Sequence, residues 1–242
     1  MKVLRIKEIS QFSENNETPL NIWKMVKSGS LVIQFCFQAL FLGGIMFIYS
    51  DFENHVLSLG GTQIESSLIY GLNMIGFFTG LLIINNLHKP NGDRRVWFLC
   101  GSILLIIFNN FFGPAPFLNI TDNDDKLISI SIAFYVVGIA MAIIIPLIVP
   151  EYIDILRGIY PDEKIELLID MGPALYISSY SMIEFLATIL GGLTIDNLGF
   201  DWANVVYAGV LCVFFVIYWG KRIFCENRKE YQGFENEMME VK

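Results

Sequence analysis

Apolar positions along this chain do not recur at the three- and four-residue spacing of a half-buried helix; they come in unbroken runs separated by short polar turns. Measured against the roughly 20 residues that cross a bilayer, six runs are candidates: Leu31 to Ser50, Ile64 to Leu87, Val96 to Phe112, Leu127 to Val149, Ala174 to Ile195 and Ala203 to Gly220. The third and sixth are near the short limit, but both are flanked by polar turns. The pattern therefore predicts an all-α integral membrane protein built as a six-helix bundle.

The segments outside these runs divide the rest of the chain. Residues 1–29 read as a polar amino-terminal arm with room for a short interfacial helix and no apolar leader, residues 30–220 as the six-span bundle, and residues 221–242 as an acidic tail. Pro146 and Pro150 lie towards the end of the fourth run, where a kink or a helix end is expected. Asp162 to Met171, DEKIELLIDM, alternates charge with apolar residues and suggests a short helix lying on the membrane surface. Gly172-Pro173 would then restart the chain into the fifth span.

Composition agrees with this reading: 54% of the 242 residues are hydrophobic and the mean hydropathy is +0.54, beyond the usual apolar share of a soluble domain. The net charge of −8 is largely loop and tail carboxylates, which solvation explains. Basic clusters with interleaved aromatics are absent, so nucleic acid is not an expected partner. Cys36, Cys100, Cys212 and Cys225 form no CxxC pair, and His55 and His88 fall in loops assigned to opposite sides of the membrane. No metal site, cofactor or enzymatic activity is expected from these spacings.

Charge sets the orientation, because cytoplasmic loops hold the excess of Lys and Arg. Six spans put both termini on one side, and that side collects fifteen of the sixteen basic residues, Lys126 being the exception. Both termini are expected in the cytoplasm of a multi-pass protein, with plasma and vesicle or vacuole membranes equally open. Asn119-Ile120-Thr121 is a glycosylation acceptor triplet in the third loop, on the opposite side.

Ionisable residues inside a span are functional candidates, since a charge there costs several kcal/mol. Glu184 sits midway along the fifth run, and Ser178, Ser181, Glu184, Thr188 and Gly191 share its face by spacing. This stripe either lines a solute and proton path or is a close-packed helix contact. Gln34 and Gln38 in the first span, and Tyr70 and Asn73 in the second, either face it across a cavity or hydrogen-bond to neighbouring helices. Asn109 and Asn110, near the end of the third span, are assigned to the membrane–water interface.

The turn from Gly80 to Arg95, GLLIINNLHKPNGDRR, resembles the loop between the second and third helices of a bundle of the major facilitator superfamily. Gly80, Gly92, Asp93, Arg94 and Arg95 match that gating loop, whereas Ile84 stands where the family has an acid. Gly113-Pro114-Ala115-Pro116, Gly191-Gly192 and Gly199-Phe200-Asp201-Trp202 look like the carboxyl-terminal half of carriers similar to the vesicular amine and polyamine transporters, with Ala187-Thr188 in place of the Gly-Pro usual there. The resemblance covers residues 31–220. It implies the second bundle of a twelve-helix transporter, its first, second, fourth and fifth spans lining a central cavity.

The expected function is then proton-coupled transport of a small organic solute, a cation among the candidates and antiport among the modes, through Glu184, Ser181, Thr188, Gln34, Gln38 and Asn73. Such carriers place the site between two bundles, so the partners expected besides lipid and solute are a second six-helix half or a second copy. The alternative is a non-transporting membrane subunit or assembly factor that retains the fold.

Overall fold

The computed structural model of the protein describes residues 22–87, 94–161 and 165–240, and is helical throughout its main elements. In chain order these are α1 (Ile22–Val26), α2 (Gly29–Tyr49), α3 (Phe52–Ser58), α4 (Gln63–Leu87), α5 (Arg94–Phe112), a 3-10 turn (Pro116–Leu118), α6 (Asn123–Ile159), α7 (Ile165–Leu198) and α8 (Phe200–Glu240). Among the described residues, five helices are long and apolar enough to cross a membrane: α2, α4, α6, α7 and the Phe200–Gly220 part of α8. The apolar part of α5, Val96–Phe112, is shorter; at 1.5 Å per residue it spans about 25 Å against a hydrocarbon core of about 30 Å. The chain is a multi-pass, all-α membrane protein.

Two local expectations are corrected. Of the kink or helix end expected at Pro146 and Pro150, the helix end is overturned: α6 runs 37 residues through both. Ile143, Ile144, Leu147 and Ile148 are all buried around these prolines, and packing on neighbouring helices holds the segment helical where proline removes a bond. The segment before the fifth span is likewise not a separate surface helix. From Ile165 it is the first part of α7, which continues through Pro173 to Leu198, while residues 162–164 lie outside the described residues. Leu168 and Gly172 face inward, and a Cβ on Gly172 would come within 2.7 Å of the Ile153 side chain on α6. That contact carries the helix past the proline.

α6 is the central element and packs against α4, α5, α7 and α2. Its closest neighbour is α4, and the reason is a seam of small residues. A Cβ on Gly76 would collide with the Tyr135 carbonyl, one on Gly138 with the Asn73 carbonyl, and one on Gly80 would sit 2.7 Å from Ala142. Gly76-xxx-Gly80 and Gly138-xxx-Ala142 thus form a small-xxx-small pair on facing helices, the arrangement that brings backbones together where lipid offers no hydrophobic drive to association. Gly101 of α5 similarly approaches Ile144 of α6. On the other flank, Gly43 of α2 receives Ile183 and Ala187 of α7, and Gly44 of α2 receives the Tyr207 ring of α8.

Contacts at the two ends confirm that successive long helices alternate in direction. At one end, Lys24 lies over the Tyr160 ring, 4.8 Å from its centre, and Arg94 donates to Asp154 at 2.8 Å. At the other, α3, the end of α5 and the start of α8 meet: His55 stacks on Phe200, and Gly113 lies against Asp201. Between the ends, Phe134 of α6 anchors an aromatic cluster, with the Tyr49, Phe52, Tyr70 and Phe112 rings all within 6 Å of its centre.

Replacing Gly76 by alanine puts a methyl group into the Tyr135 carbonyl, and destabilisation of about 1–3 kcal/mol is expected. Gly71→Ala, whose Cβ would meet nothing within 4 Å, is the matched control. Thermal unfolding of the two variants in the same detergent checks this; equal melting temperatures would refute the seam.

Candidate functional site

The polar residues singled out by sequence separate into an interior set and an outward set. Gln34, Gln38 and Asn73 are each no more than 1% exposed. Gln38, on α2, makes two long-range bonds: its Oε1 accepts from Tyr152 Oη of α6 at 2.7 Å, and its Nε2 donates to the Tyr176 carbonyl of α7 at 3.0 Å. One side chain therefore pins three helices. Asn73, on α4, donates from Nδ2 to the Phe134 carbonyl of α6 at 2.9 Å and accepts at Oδ1 from Tyr49 Oη of α2 at 3.1 Å. Gln34 accepts from Tyr218 Oη of α8 at 3.3 Å. Tyr70 approaches the Tyr49 carbonyl at 3.5 Å.

The expected stripe on α7 lies elsewhere. Ser178, Ser181, Glu184 and Thr188 are all exposed, whereas Ser179, Ile183 and Gly191 are buried. At about 100° per residue Ser179 and Ile183 lie well round the helix from the stripe, whereas Gly191, seven residues beyond Glu184, shares its side and is buried because α2 approaches there. Gly191, expected with the stripe, instead packs against the backbone of Phe47 on α2, where its missing Cβ makes room. Thr188 donates only to the Glu184 carbonyl of its own helix, at 2.9 Å. Gln38 thus reaches α7 at Tyr176 and Gln34 reaches α8 at Tyr218, and neither faces Glu184 across a cavity: the part of α7 turned towards Gln38 presents Tyr176, Ser179 and Ile183.

This outward surface is otherwise strongly apolar. Ile177, Met182, Phe185, Leu186, Ile189 and Leu190 are exposed around Glu184, and only 17% of the most apolar stretch of α7 is buried, against 56% for α6. α4 presents a comparable face through Ile64, Leu68, Ile75, Phe78 and Leu82. Among the described cavities, one lies between α2, α5 and α8, lined by Phe37, Phe41, Leu105, Leu211 and Ser102; at about 20 Å³ it has room for a water molecule, not an organic solute.

The residues of the turn are partly outside the described residues, which omit Gly92 and Asp93. Gly80 lies within α4, as its place in the second run implies, in the seam with α6. Arg94 pairs with Asp154, tying the start of α5 to the far end of α6. Ile84 is buried at 7% exposure, so a carboxylate there would need a partner inside the bundle. Asn119 is exposed in the loop after the 3-10 turn, in the left-handed region at φ 53°, which asparagine tolerates. Asn109, near the end of its span, is fully buried and donates to the Asn204 carbonyl of α8 at 3.5 Å, because the end of α5 packs against the start of α8. Asn110 is half-buried and bonds its own helix at the Ile106 carbonyl.

The residues missed by sequence reasoning are Tyr152, Tyr176 and the glycine seam. The tyrosines carried no spacing signal; Gly76-xxx-Gly80 did, as a small-residue repeat within a span. Compared with family models, with curated proteins and with solved structures, the chain matches none.

Gln38→Ala leaves Tyr152 Oη and the Tyr176 carbonyl without their partner and is expected to cost about 1–2 kcal/mol. Glu184→Gln, on the exposed face, is expected to leave the melting temperature unchanged. Thermal unfolding in detergent of both variants checks the contrast, and a Glu184→Gln loss as large as that of Gln38→Ala would contradict the division into two sets.

Proposed function

We propose that the chain is one bundle of a membrane carrier for a small organic solute, working with a second bundle that covers the outward face of α7 and coupling transport to protons through Glu184. The observation behind this reading is the position of Glu184, Ser181 and Thr188 on the outside of a membrane-length helix. A carboxylate facing hydrocarbon is costly; one facing a second bundle across a polar path is not. The apolar ring around the stripe, together with the matching face of α4, supplies surface for such a partner, either a second copy or a separate half. The excess of basic residues beside the first, third and fifth spans, and after the sixth, supports cytoplasmic termini. The Gly80 to Arg95 turn and the glycine motifs resemble the major facilitator carriers, whose sites lie between paired bundles.

Interior packing favours a division of labour within this bundle. Gln38 and Asn73 have both amide atoms engaged in bonds between helices, so in this reading they fix the bundle's shape and leave the solute to the α7 face.

Reconstituted into proteoliposomes with a proton gradient and a panel of small organic cations, the wild-type protein is expected to drive uptake that Glu184→Gln abolishes while folding normally. Absence of flux for every solute, with Glu184→Gln unchanged in assembly, would instead favour the non-transporting subunit.

A further inference from the structure

Away from the α7 face, at the opposite end of the bundle from Arg94 and Asp154, one titratable side chain sits at a junction between helices. His55 lies on α3, the seven-residue helix linking α2 to α4. Its ring stacks on Phe200, the first residue of α8, with centres 4.0 Å apart and planes 16° from parallel. Its Nε2 is 3.7 Å from Asp201 Oδ1, outside hydrogen-bond range, and both atoms are buried without a hydrogen-bond partner. The His55 side chain is 10% exposed and that of Asp201 31%. α3 is thus held to the start of α8 by a neutral stack beside an unmade ion pair.

We propose that His55 is a proton-operated latch: neutral, it docks α3 on the first turn of α8, and protonated, it releases the loop helix from that turn. The charges facing it come from three elements. Asp201 on α8 and Asp51 just before α3 favour the imidazolium; Lys126, in the first turn of α6, opposes it. Glu65, at the start of α4, is held by the Thr62 amide and hydroxyl. Burial outweighs the two carboxylates and, with Lys126, holds the imidazole below its ordinary range.

The sign follows from linkage. Above the ordinary histidine value of about 6.5 the ring is neutral whether docked or released, and pH has no effect. As pH falls below that value, the released ring takes up a proton that the docked ring resists. Acidification therefore favours release until the docked ring is itself protonated, by about tenfold in the opening constant for each unit that docking depresses the pKa. The device responds to the compartment that bathes the loop between the first two spans, and it is independent of the transport reading.

Hydrogen–deuterium exchange of the full chain in nanodiscs, from about pH 7.5 to about pH 5 and corrected for intrinsic chemical exchange, tests it across the range in which histidine titrates. Exchange in residues 52–58 of the wild type is expected to accelerate on acidification. His55→Phe, which keeps a ring over Phe200 and cannot ionise, is expected to show no pH step, and Asp201→Asn to enlarge the wild-type step by removing a charge that favours docked imidazolium. If His55→Phe fails to fold, His55→Gln takes its place. A flat wild-type profile, protection that rises with acid, or an equal step in the non-ionisable variant would each overturn the proposal.

Discussion

The close approach of α4 and α6 is the constraint on which the remaining packing depends. In lipid, apolar side chains gain little by moving from hydrocarbon to a neighbouring helix, so association rests on contact density and on polar groups that find partners. Gly76, Gly80 and Gly138 remove the side chains that would separate the two backbones. With α4 seated there, α6 keeps its other sides for α5, α7 and α2. The same logic recurs at Gly101, Gly43 and Gly44, each facing a bulky residue on the next helix, so the bundle is a set of knobs seated in glycine gaps around one long central helix.

Buried polar side chains then fix the register that apolar packing leaves loose. Gln38 and Asn73 have donors and acceptors at fixed geometry, and each is engaged on two different helices. Sliding either helix by one residue would leave these groups unsatisfied in a medium without water, at a cost apolar contacts cannot offset. Their burial is therefore consistent with a scaffold role, whereas Glu184, Ser181 and Thr188 face outward with no such engagement beyond their own helix. Interior polarity and surface polarity do different work in this bundle.

The aqueous end of the bundle is organised by other means. Around α3, ring stacking and a short helix hold His55 next to Asp201 without a hydrogen bond, and Lys126 and Asp51 complete a field of mixed sign. Proton sensitivity there and a carboxylate on the α7 face are separate features, carried by different helices and opposite requirements for burial.

The sequence by itself determined the helical class and the membrane-length apolar runs, of which five are helices of spanning length among the described residues and the third, Val96–Phe112, is shorter, because run length and polarity are local properties that the bilayer's thickness converts directly into structure. It also marked which residues of α7 share a face, since spacing fixes that. What spacing cannot state is the rotation of the helix about its axis. Only the tertiary structure turned Ser179 and Ile183 inward and Glu184 outward, brought α2 against Gly191 further along the same side, carried α6 through two prolines and α7 through one, buried Asn109 against α8, and placed Tyr152 and Tyr176 at the two ends of Gln38. Each depends on which neighbour occupies the adjoining groove, and that is decided by glycine gaps and amide bonds between residues far apart in the chain.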